Sequence, residues 1–168
     1  MLHTIILSPS HKRTSFVCEE PSLENYLRKQ AGQDVKRQVA ACFILEGEGG
    51  AIKGYYTLSS DSIDRTLIPE QLQKKMPYKN LPVTLLGRLA RDTSYQGQGI
   101  GEILLADALK RAYQASSTIG ACAVVTDPIN EKARAFYATF GFISLEGGRM
   151  FIPMETIKAS EFRHVYLI

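Results

Sequence analysis

Residues 82–101 read PVTLLGRLARDTSYQGQGIG and contain the most informative pattern of the chain. Residues 83–90 are mostly apolar, which predicts a strand buried on both faces. Glycines at 97, 99 and 101 then remove side chains where backbone N–H groups could converge, and a helical pattern begins at once. A strand, a glycine-rich turn and a helix in this order can bind phosphate groups.

Upstream of this stretch the pattern predicts a strand, a helix, a hairpin and a short helix. We expect the helix to start at Pro21 and Ser22 and to be interrupted at Gly32. Two apolar runs flank a glycine-rich turn at 46–50, which predicts a β-hairpin. The predicted bounds are a strand at 4–7, hairpin strands at 40–45 and 51–59, a helix at 70–75 and a proline-bounded loop at 76–82.

Downstream, the predicted elements are a helix from Ile100 to near Ser116, a strand at 121–126, a helix at 130–140 and a hairpin at 142–145 and 149–154. Gly141 follows the second helix as its left-handed C-terminal residue. The tail after Thr156 carries no clear pattern. The order of elements predicts an α+β (mixed α/β) fold, in which a mixed central sheet is flanked by helices.

Length and composition are those of one ordinary globular domain covering residues 1–168. The chain is 45% hydrophobic and 22% charged, and no apolar run approaches the ~20 residues of a membrane span. The first residues lack a cationic leader, so we expect a cytoplasmic protein without membrane association. Cys18, Cys42 and Cys122 are odd in number and lie in or beside apolar stretches, which favours reduced thiols over a disulfide or a metal site.

Basic residues cluster in two places although the formal net charge is only +3. Residues 71–91 contain no acidic residue and five basic ones, namely Lys74, Lys75, Lys79, Arg88 and Arg91. Lys36 and Arg37 form a second small cluster. Such a distribution suits a polyanionic partner, either CoA phosphates or nucleic acid, and a solvated surface is the alternative.

The glycine turn is compatible with several nucleotide-binding folds. A dinucleotide-binding loop of the Rossmann type would need glycine where Glu102 stands, and a Walker loop would need Gly-Lys-Ser/Thr. The turn instead fits Gln/Arg-x-x-Gly-x-Gly/Ala, whose amides can hold a diphosphate at a helix N-terminus without a lysine.

Together with Thr126-Asp127-Pro128-x-Asn130 and Ala135-Phe136-Tyr137-x-x-x-Gly141-Phe142, this turn resembles the GNAT (Gcn5-related) N-acetyltransferases over roughly the second half of the chain. The resemblance implies a sheet that splays beside its central strand, with acetyl-CoA as co-substrate and no metal. It also implies the residues that bind the donor: Leu89, Ala90 and Arg91 by their main chain, Gln96, Gly97, Gln98, Gly99, Ile100 and Gly101 at the diphosphate, and Asn130 and Phe136 along the CoA arm.

By the same resemblance, Tyr137 stands near the CoA sulfur as general acid. A phenol with a pKa near ~10 is protonated at neutral pH and can supply the proton that the departing thiolate needs. A tyrosine that only packs the helix face is the alternative. Asp92, Glu102 and Asp127 lie at the ends of the relevant elements, where capping or surface roles are more typical than that of a base.

The first half is similar to the GNAT toxins of bacterial toxin–antitoxin systems. The similarity rests on Phe16-x-Cys18, Leu23-x-x-Tyr26-Leu27, Gly54-Tyr55-Tyr56-Thr57-Leu58-Ser59 and Gly87-Arg88-Leu89-Ala90. It implies transfer of acetyl to the α-amino group of aminoacyl-tRNA, a block of translation, a ribbon-helix-helix antitoxin and a homodimer.

The residues agree with this branch, because an α-amino group with a pKa of ~8 or lower can react without a strong base. Candidate contacts to tRNA phosphates are Lys36, Arg37, Lys74, Lys75, Lys79 and Arg88, although Arg88 can equally brace the site or pair with a buried acid. Two alternatives stay open at this point. One is a GNAT enzyme acting on a small-molecule amine or a protein N-terminus, and the other is a non-enzymatic acyl-CoA-binding module.

Overall fold

The structure, a computed structural model, describes the backbone of residues 2–164 and the side chains of residues 2–160. The strands are β1 (Ile5–Ile6), β2 (Ala41–Glu46), β3 (Ile52–Asp64), β4 (Asn80–Arg91), β5 (Ala123–Thr126), β6 (Ile143–Ser144) and β7 (Met150–Pro153). The helices are α1 (Pro21–Asn25), α2 (Ala31–Lys36), α3 (Glu70–Gln73), α4 (Ile100–Ala115), α5 (Glu131–Thr139) and α6 (Met154–His164).

The strands form a seven-stranded sheet in the order β1-β2-β3-β4-β5-β7-β6. This arrangement confirms the predicted mixed sheet with helices. Both predicted hairpins are antiparallel, with Phe43 opposite Tyr56 in the first and Ile143 opposite Phe151 in the second. The stretch after Ser59, which the sequence left open between strand and loop, continues β3 as far as Asp64.

The predicted helix break at Gly32 is wrong. Helical structure continues from Pro21 to Lys36, and its irregular part is a π-helical turn at Tyr26–Gln30. Gly32 is accommodated inside α2 because the missing side chain leaves room for Arg13, whose Nη1 would lie 2.7 Å from a Cβ at that position. The glycine marks a close contact and not a helix end.

The central strand β4 differs from its prediction in two ways. It begins at Asn80, so the end of the predicted loop at 76–82 is already strand. It is also buried only in part: Leu81 and Val83 are buried at odd positions and Leu86 and Ala90 at even positions, while the residues between them are half-buried or exposed. Each face of the strand therefore supplies core residues over part of its length, so the prediction of burial on both faces holds only in part.

Residues 157–164 are helical, which the sequence reading missed. α6 follows directly on β7, and its residues Met154 and Ile157 are buried one helical turn apart. Two apolar residues at this spacing are too few to predict a helix from the sequence. The predicted helix end at Gly141 is confirmed by its φ of 101°.

Two compact units can be distinguished within the described residues. The first holds the residues up to Ser59 together with Leu86–Arg111, and the second holds Ser60–Leu85 together with the residues from Ala112 onward. The core of the first unit comprises Leu7, Phe16, Tyr26, Leu27, Ala31, Cys42, Ile44, Ile52, Tyr55 and Ala90. The core of the second comprises Ile63, Ile68, Leu81, Val83, Ala123, Val125, Leu145 and Phe151.

Candidate active site

The glycine turn between β4 and α4 has the properties of an anion site. Gly97 and Gly99 adopt φ values of 79° and 71°, which favour glycine over any other residue. The amides of Gly99, Ile100 and Gly101 donate to no backbone carbonyl of the described residues. They form the N-terminus of the 16-residue helix α4, whose dipole attracts negative charge. The predicted diphosphate turn therefore has free donors and an open surface.

The strand before the turn is held close to its neighbours within the first unit. A Cβ on Gly54 of β3 would lie 2.8 Å from the Ala90 carbonyl oxygen and 2.6 Å from Leu104 Cδ1 of α4. Only glycine allows this approach, which fixes the backbone around the predicted contacts Leu89, Ala90 and Arg91. Ala90 is buried, whereas Leu89 and Arg91 are half-buried.

Arg88 is stacked on an aromatic ring. Its Cζ lies 3.6 Å from the centroid of the Tyr26 ring, and the Tyr26 hydroxyl donates to Asp34 Oδ2 at 2.8 Å. Hydrogen bonds from Gln30 and Tyr26 hold the pKa of Asp34 below its usual value, and the charge of Arg88 acts in the same direction. The sequence left open whether Arg88 pairs with a buried acid or faces the substrate. The guanidinium braces the ring, and among the described residues none accepts a hydrogen bond from it.

Tyr137 lies on α5 in the second unit and is 6% exposed. Its ring is 5.4 Å from that of Phe142 and 5.6 Å from that of Phe136. Burial raises the pKa of Tyr137, and a hydrogen bond with the Thr126 side chain opposes that rise without cancelling it. The phenol is therefore held in the protonated form that a general acid needs, and the same contacts also pack α5.

The other two predicted contacts of the second unit lie on the same helix. Asn130 is the N-cap of α5, and its side-chain oxygen accepts the Ala133 amide at 2.9 Å. Phe136 is half-buried, with its ring 5.6 Å from that of Phe140. The family resemblance predicts that Asn130 lines the CoA arm; what the structure shows is its role as the N-cap of α5.

The three carboxylates considered as bases have the roles of caps and surface groups. Asp92 accepts the amides of Ser94 and Val17, at 2.8 and 3.0 Å, and so ties the turn to the N-terminal segment. Asp127 forms a two-point pair with Arg149. Glu102 is exposed in the first turn of α4.

The predicted basic contacts are exposed, apart from the half-buried Arg88. Lys36 ends α2 and Arg37 follows it, in the first unit. Lys74, Lys75 and Lys79 lie after α3 and before β4, in the second unit. The structure thus places the six predicted contacts in two groups, with Lys36, Arg37 and Arg88 in the first unit and the three lysines in the second.

The sequence reading missed a basic cavity of the first unit. It measures about 470 Å³ and lies between the N-terminal segment and the end of the α1–α2 helical stretch. Its lining includes Arg13, Lys29 and Lys36 and no acidic residue. The sequence feature that could have indicated this cavity is Gly32, whose missing side chain lets the Arg13 guanidinium lie against the helix. In the sequence alone, a glycine at this position indicates a helix break.

The remaining predictions concern cysteines, metals and membranes. Cys18, Cys42 and Cys122 are free thiols, as predicted; Cys42 is buried, which raises its pKa to about 12, and the other two are half-buried. In the described part of the chain no three potential ligands are grouped as a metal site would require. None of the described helices combines the length and apolar character of a membrane crossing.

The sheet order and the glycine turn before α4 agree with the resemblance to acetyltransferases that the sequence shows. The family model described as "Acetyltransferase (GNAT) family" matches residues 7–142. The chain belongs to the GNAT acetyltransferase family.

Two relatives have names that indicate the toxin branch of this family. The chain is 39% identical over 136 residues to a protein of Mycobacterium tuberculosis (strain ATCC 25618 / H37Rv) named "tRNA-acetylating toxin", which covers 81% of each chain. It is 29% identical over 160 residues to "Probable toxin TacT" of Sinorhizobium fredii (strain NBRC 101917 / NGR234), covering 89% of this chain and 88% of the relative.

Solved structures of toxins have the same fold. A tyrosine-to-phenylalanine mutant of KacT matches with a TM-score of 0.89 and 34% identity, covering 95% of this chain and 98% of that one. AtaT complexed with acetyl-methionyl-tRNAfMet matches with a TM-score of 0.89 and 33% identity, covering 96% and 99%. AtaTR bound with acetyl-CoA matches with a TM-score of 0.83 and 34% identity, covering 95% and 98%. A tyrosine-to-phenylalanine mutant of AtaT bound to the C-terminus of the antitoxin AtaR matches with a TM-score of 0.81 and 30% identity, covering 95% and 97%.

Proposed function

We propose that this chain is a single-domain toxin that transfers the acetyl group of acetyl-CoA to the α-amino group of aminoacyl-tRNA and thereby blocks translation. The observation that carries the proposal is the likeness of nearly the whole chain to AtaT in complex with acetyl-methionyl-tRNAfMet. The relative named as a tRNA-acetylating toxin supports the same substrate class.

Acetyl-CoA supplies an acetyl group that is activated as a thioester. We propose that the turn Gln96–Gly101 binds its diphosphate, chiefly through the open amides of Gly99, Ile100 and Gly101 and helped by the dipole of α4. Leu89–Arg91 would bind the pantetheine arm by main-chain hydrogen bonds, while Asn130 and Phe136 line the same arm. The positive φ angles of Gly97 and Gly99 are the structural support for this assignment.

Tyr137 is proposed to hold the proton that the departing thiolate takes up. Its pKa is raised by burial, so the phenol stays protonated throughout the neutral range. The attacking α-amino group has a pKa of about 8 in peptides, and an adjacent ester lowers it further. A neutral nucleophile is then available without a protein base, which agrees with the capping and surface roles of Asp92 and Asp127.

The acceptor arm of the tRNA requires contacts to its phosphates. We assign these contacts to the six predicted basic residues, Lys36, Arg37, Lys74, Lys75, Lys79 and Arg88. Arg13 and Lys29, which line the cavity beside Lys36, enlarge the basic surface of the first unit.

The relatives also indicate partners. Because AtaT is bound to the C-terminus of an antitoxin, we propose that this chain is neutralised by an antitoxin. The resemblance to the GNAT toxins is the basis for proposing further that this antitoxin is of the ribbon-helix-helix class and that the chain forms a homodimer. Its proposed substrates, charged tRNA and acetyl-CoA, place its action in the cytoplasm. Light scattering of the purified chain, alone and with the product of a neighbouring small reading frame, tests both partners.

The substrate is tested with radiolabelled acetyl-CoA and three acceptors in parallel. We expect label in charged tRNA and none in deacylated tRNA or spermidine. Inert charged tRNA together with acetylation of the polyamine would instead indicate a small-molecule acetyltransferase. Binding of acetyl-CoA without any transfer would indicate an acyl-CoA-binding module.

A further inference from the structure

Tyr78 lies in a short segment, residues 74–79 with the sequence KKMPYK, which we name the lysine–tyrosine loop. Its side chain is 69% exposed, more than any other aromatic residue that the structure describes. It makes no hydrogen bond or ring contact within the described part of the chain. An exposed aromatic side chain adds little to folding, so its position calls for another explanation.

The backbone of the loop is fixed on both sides of Tyr78. The Arg65 guanidinium donates to the Met76 carbonyl at 2.9 Å, and the Arg65 amide donates to the Lys79 carbonyl at 2.8 Å. Met76 packs against the core cluster of the second unit, as does Leu72 one turn earlier. The loop thus packs one apolar side chain, that of Met76, partly against the core and exposes the aromatic side chain two residues later.

Three lysines surround this ring in the sequence and are exposed with it. Lys74 and Lys75 form no ion pair with any residue of the described range. Lys79 has Asp64 in its neighbourhood, but that carboxylate already accepts the amide and the hydroxyl of Thr66. The surface around Tyr78 therefore carries net positive charge.

The geometry points to an unpaired nucleotide as the ligand of this loop. We propose that Tyr78 stacks on a base of the single-stranded 3′ end of the acceptor RNA, and that the lysines bind the adjoining phosphates. Aromatic rings beside basic residues are typical of single-stranded nucleic acid binding, whereas lysine is depleted at protein interfaces. The proposal rests on the proposed function, which supplies an RNA acceptor with an unpaired end.

Stacking can be measured with an aminoacylated minihelix RNA that carries 2-aminopurine in its unpaired 3′ segment. We expect the wild-type protein to quench the fluorescence and Tyr78→Ala to abolish the quenching. The same variant should lower kcat/KM for the charged RNA about tenfold and leave KM for acetyl-CoA unchanged. Tyr78→Phe, which keeps the ring, should restore both signals.

Two further variants separate stacking from charge. Ile119→Ala removes an apolar side chain that is 76% exposed and should change neither signal. Lys74→Ala combined with Lys75→Ala should make the dependence of RNA affinity on salt less steep. The slope of log affinity against log salt should fall by about 1.4, or about 0.7 for each lysine on a single strand, whereas Tyr78→Ala should leave it unchanged.

The outcomes distinguish this proposal from the proposed function. If the wild type acetylates charged RNA and Tyr78→Ala does so equally well with unchanged quenching, stacking is refuted and the function stands. If the wild type acetylates no charged RNA, the proposed function is refuted. The fluorescence experiment still tests the loop in that case, because quenching by the wild type that is lost in Tyr78→Ala shows binding of unpaired bases. If Tyr78→Ala loses antitoxin binding but binds RNA as the wild type does, the loop is a protein-docking surface and the proposal is overturned.

Discussion

The guanidinium of Arg88 lies 3.6 Å from the centre of the Tyr26 ring, one residue before the predicted pantetheine strand. Stacking occupies the face of the guanidinium and leaves its in-plane N–H groups available for a phosphate. Because the Tyr26 hydroxyl is bound to Asp34, the ring and the cation are held together in one orientation.

Replacing Arg88 by lysine tests this arrangement. Lysine keeps the charge but cannot stack as a planar group or present the forked pair of donors. We therefore expect kcat/KM for charged tRNA to fall about tenfold, which corresponds to the free energy of a cation–π contact and one hydrogen bond. Affinity for acetyl-CoA, measured by calorimetry, should stay the same. Equal activity of the lysine variant would mean that Arg88 contributes only its charge.

Tyr137→Phe removes the proposed acid and conserves the packing against Phe142. We expect kcat to fall by about 10² to 10³ with little change in acetyl-CoA binding. The pH profile gives a second readout: because burial raises the pKa of Tyr137, wild-type activity should rise as the substrate amine loses its proton and should not decline below pH ~10. An alkaline decline near pH 8 would argue against this phenol.

Gly97→Ala tests the diphosphate turn. A Cβ there meets nothing within 4 Å, so the effect comes from the φ of 79° and from the altered path of the amides. We expect Kd for acetyl-CoA to rise at least tenfold. Gly147→Ala is the matched control, with φ 92° and equally open surroundings in the last hairpin turn, and it should show the same small loss of stability with unchanged binding.

Asp107 links the N-terminal segment to α4 and is 2% exposed. Burial alone would raise its pKa, but hydrogen bonds from Thr4, Tyr56 and the His3 amide, together with Arg111, outweigh burial and hold the pKa below its usual value. A lowered folded-state pKa stabilises the fold above the unfolded pKa of about 4, and this stability is lost as pH falls through the folded value.

Asp107→Asn should therefore destabilise the protein by about 3 kcal/mol at pH 7, and by less as the pH falls below 4. Urea unfolding at pH 7 and pH 3 measures the difference. A deficit that stays constant between the two pH values would show that the carboxylate charge has no part in it.

The sequence was most informative where a local pattern maps directly onto structure. The glycine turn, both hairpins and the C-terminal glycine of α5 follow from residue types that favour those backbone conformations, and the structure confirms them. The family resemblance, which the comparisons confirm, supplied the function.

Features that depend on distant residues could not be predicted in this way. Gly32 looks like a helix break until Arg13 is placed over it, and the apolar run of β4 conceals an alternation of buried positions. The stack of Arg88 on Tyr26 joins residues 62 positions apart in the sequence, and no spacing rule reveals such a pair.

The proposed function requires that the acetyl group is transferred to the α-amino group of an amino acid esterified to tRNA. The most direct measurement is mass spectrometry of the amino acids released by mild alkali from charged tRNA after incubation with the protein and acetyl-CoA. We predict N-acetylated amino acid with the wild type and a strongly reduced amount with Tyr137→Phe. Released amino acids that carry no acetyl group, while acetyl-CoA is consumed on another acceptor, would contradict the account.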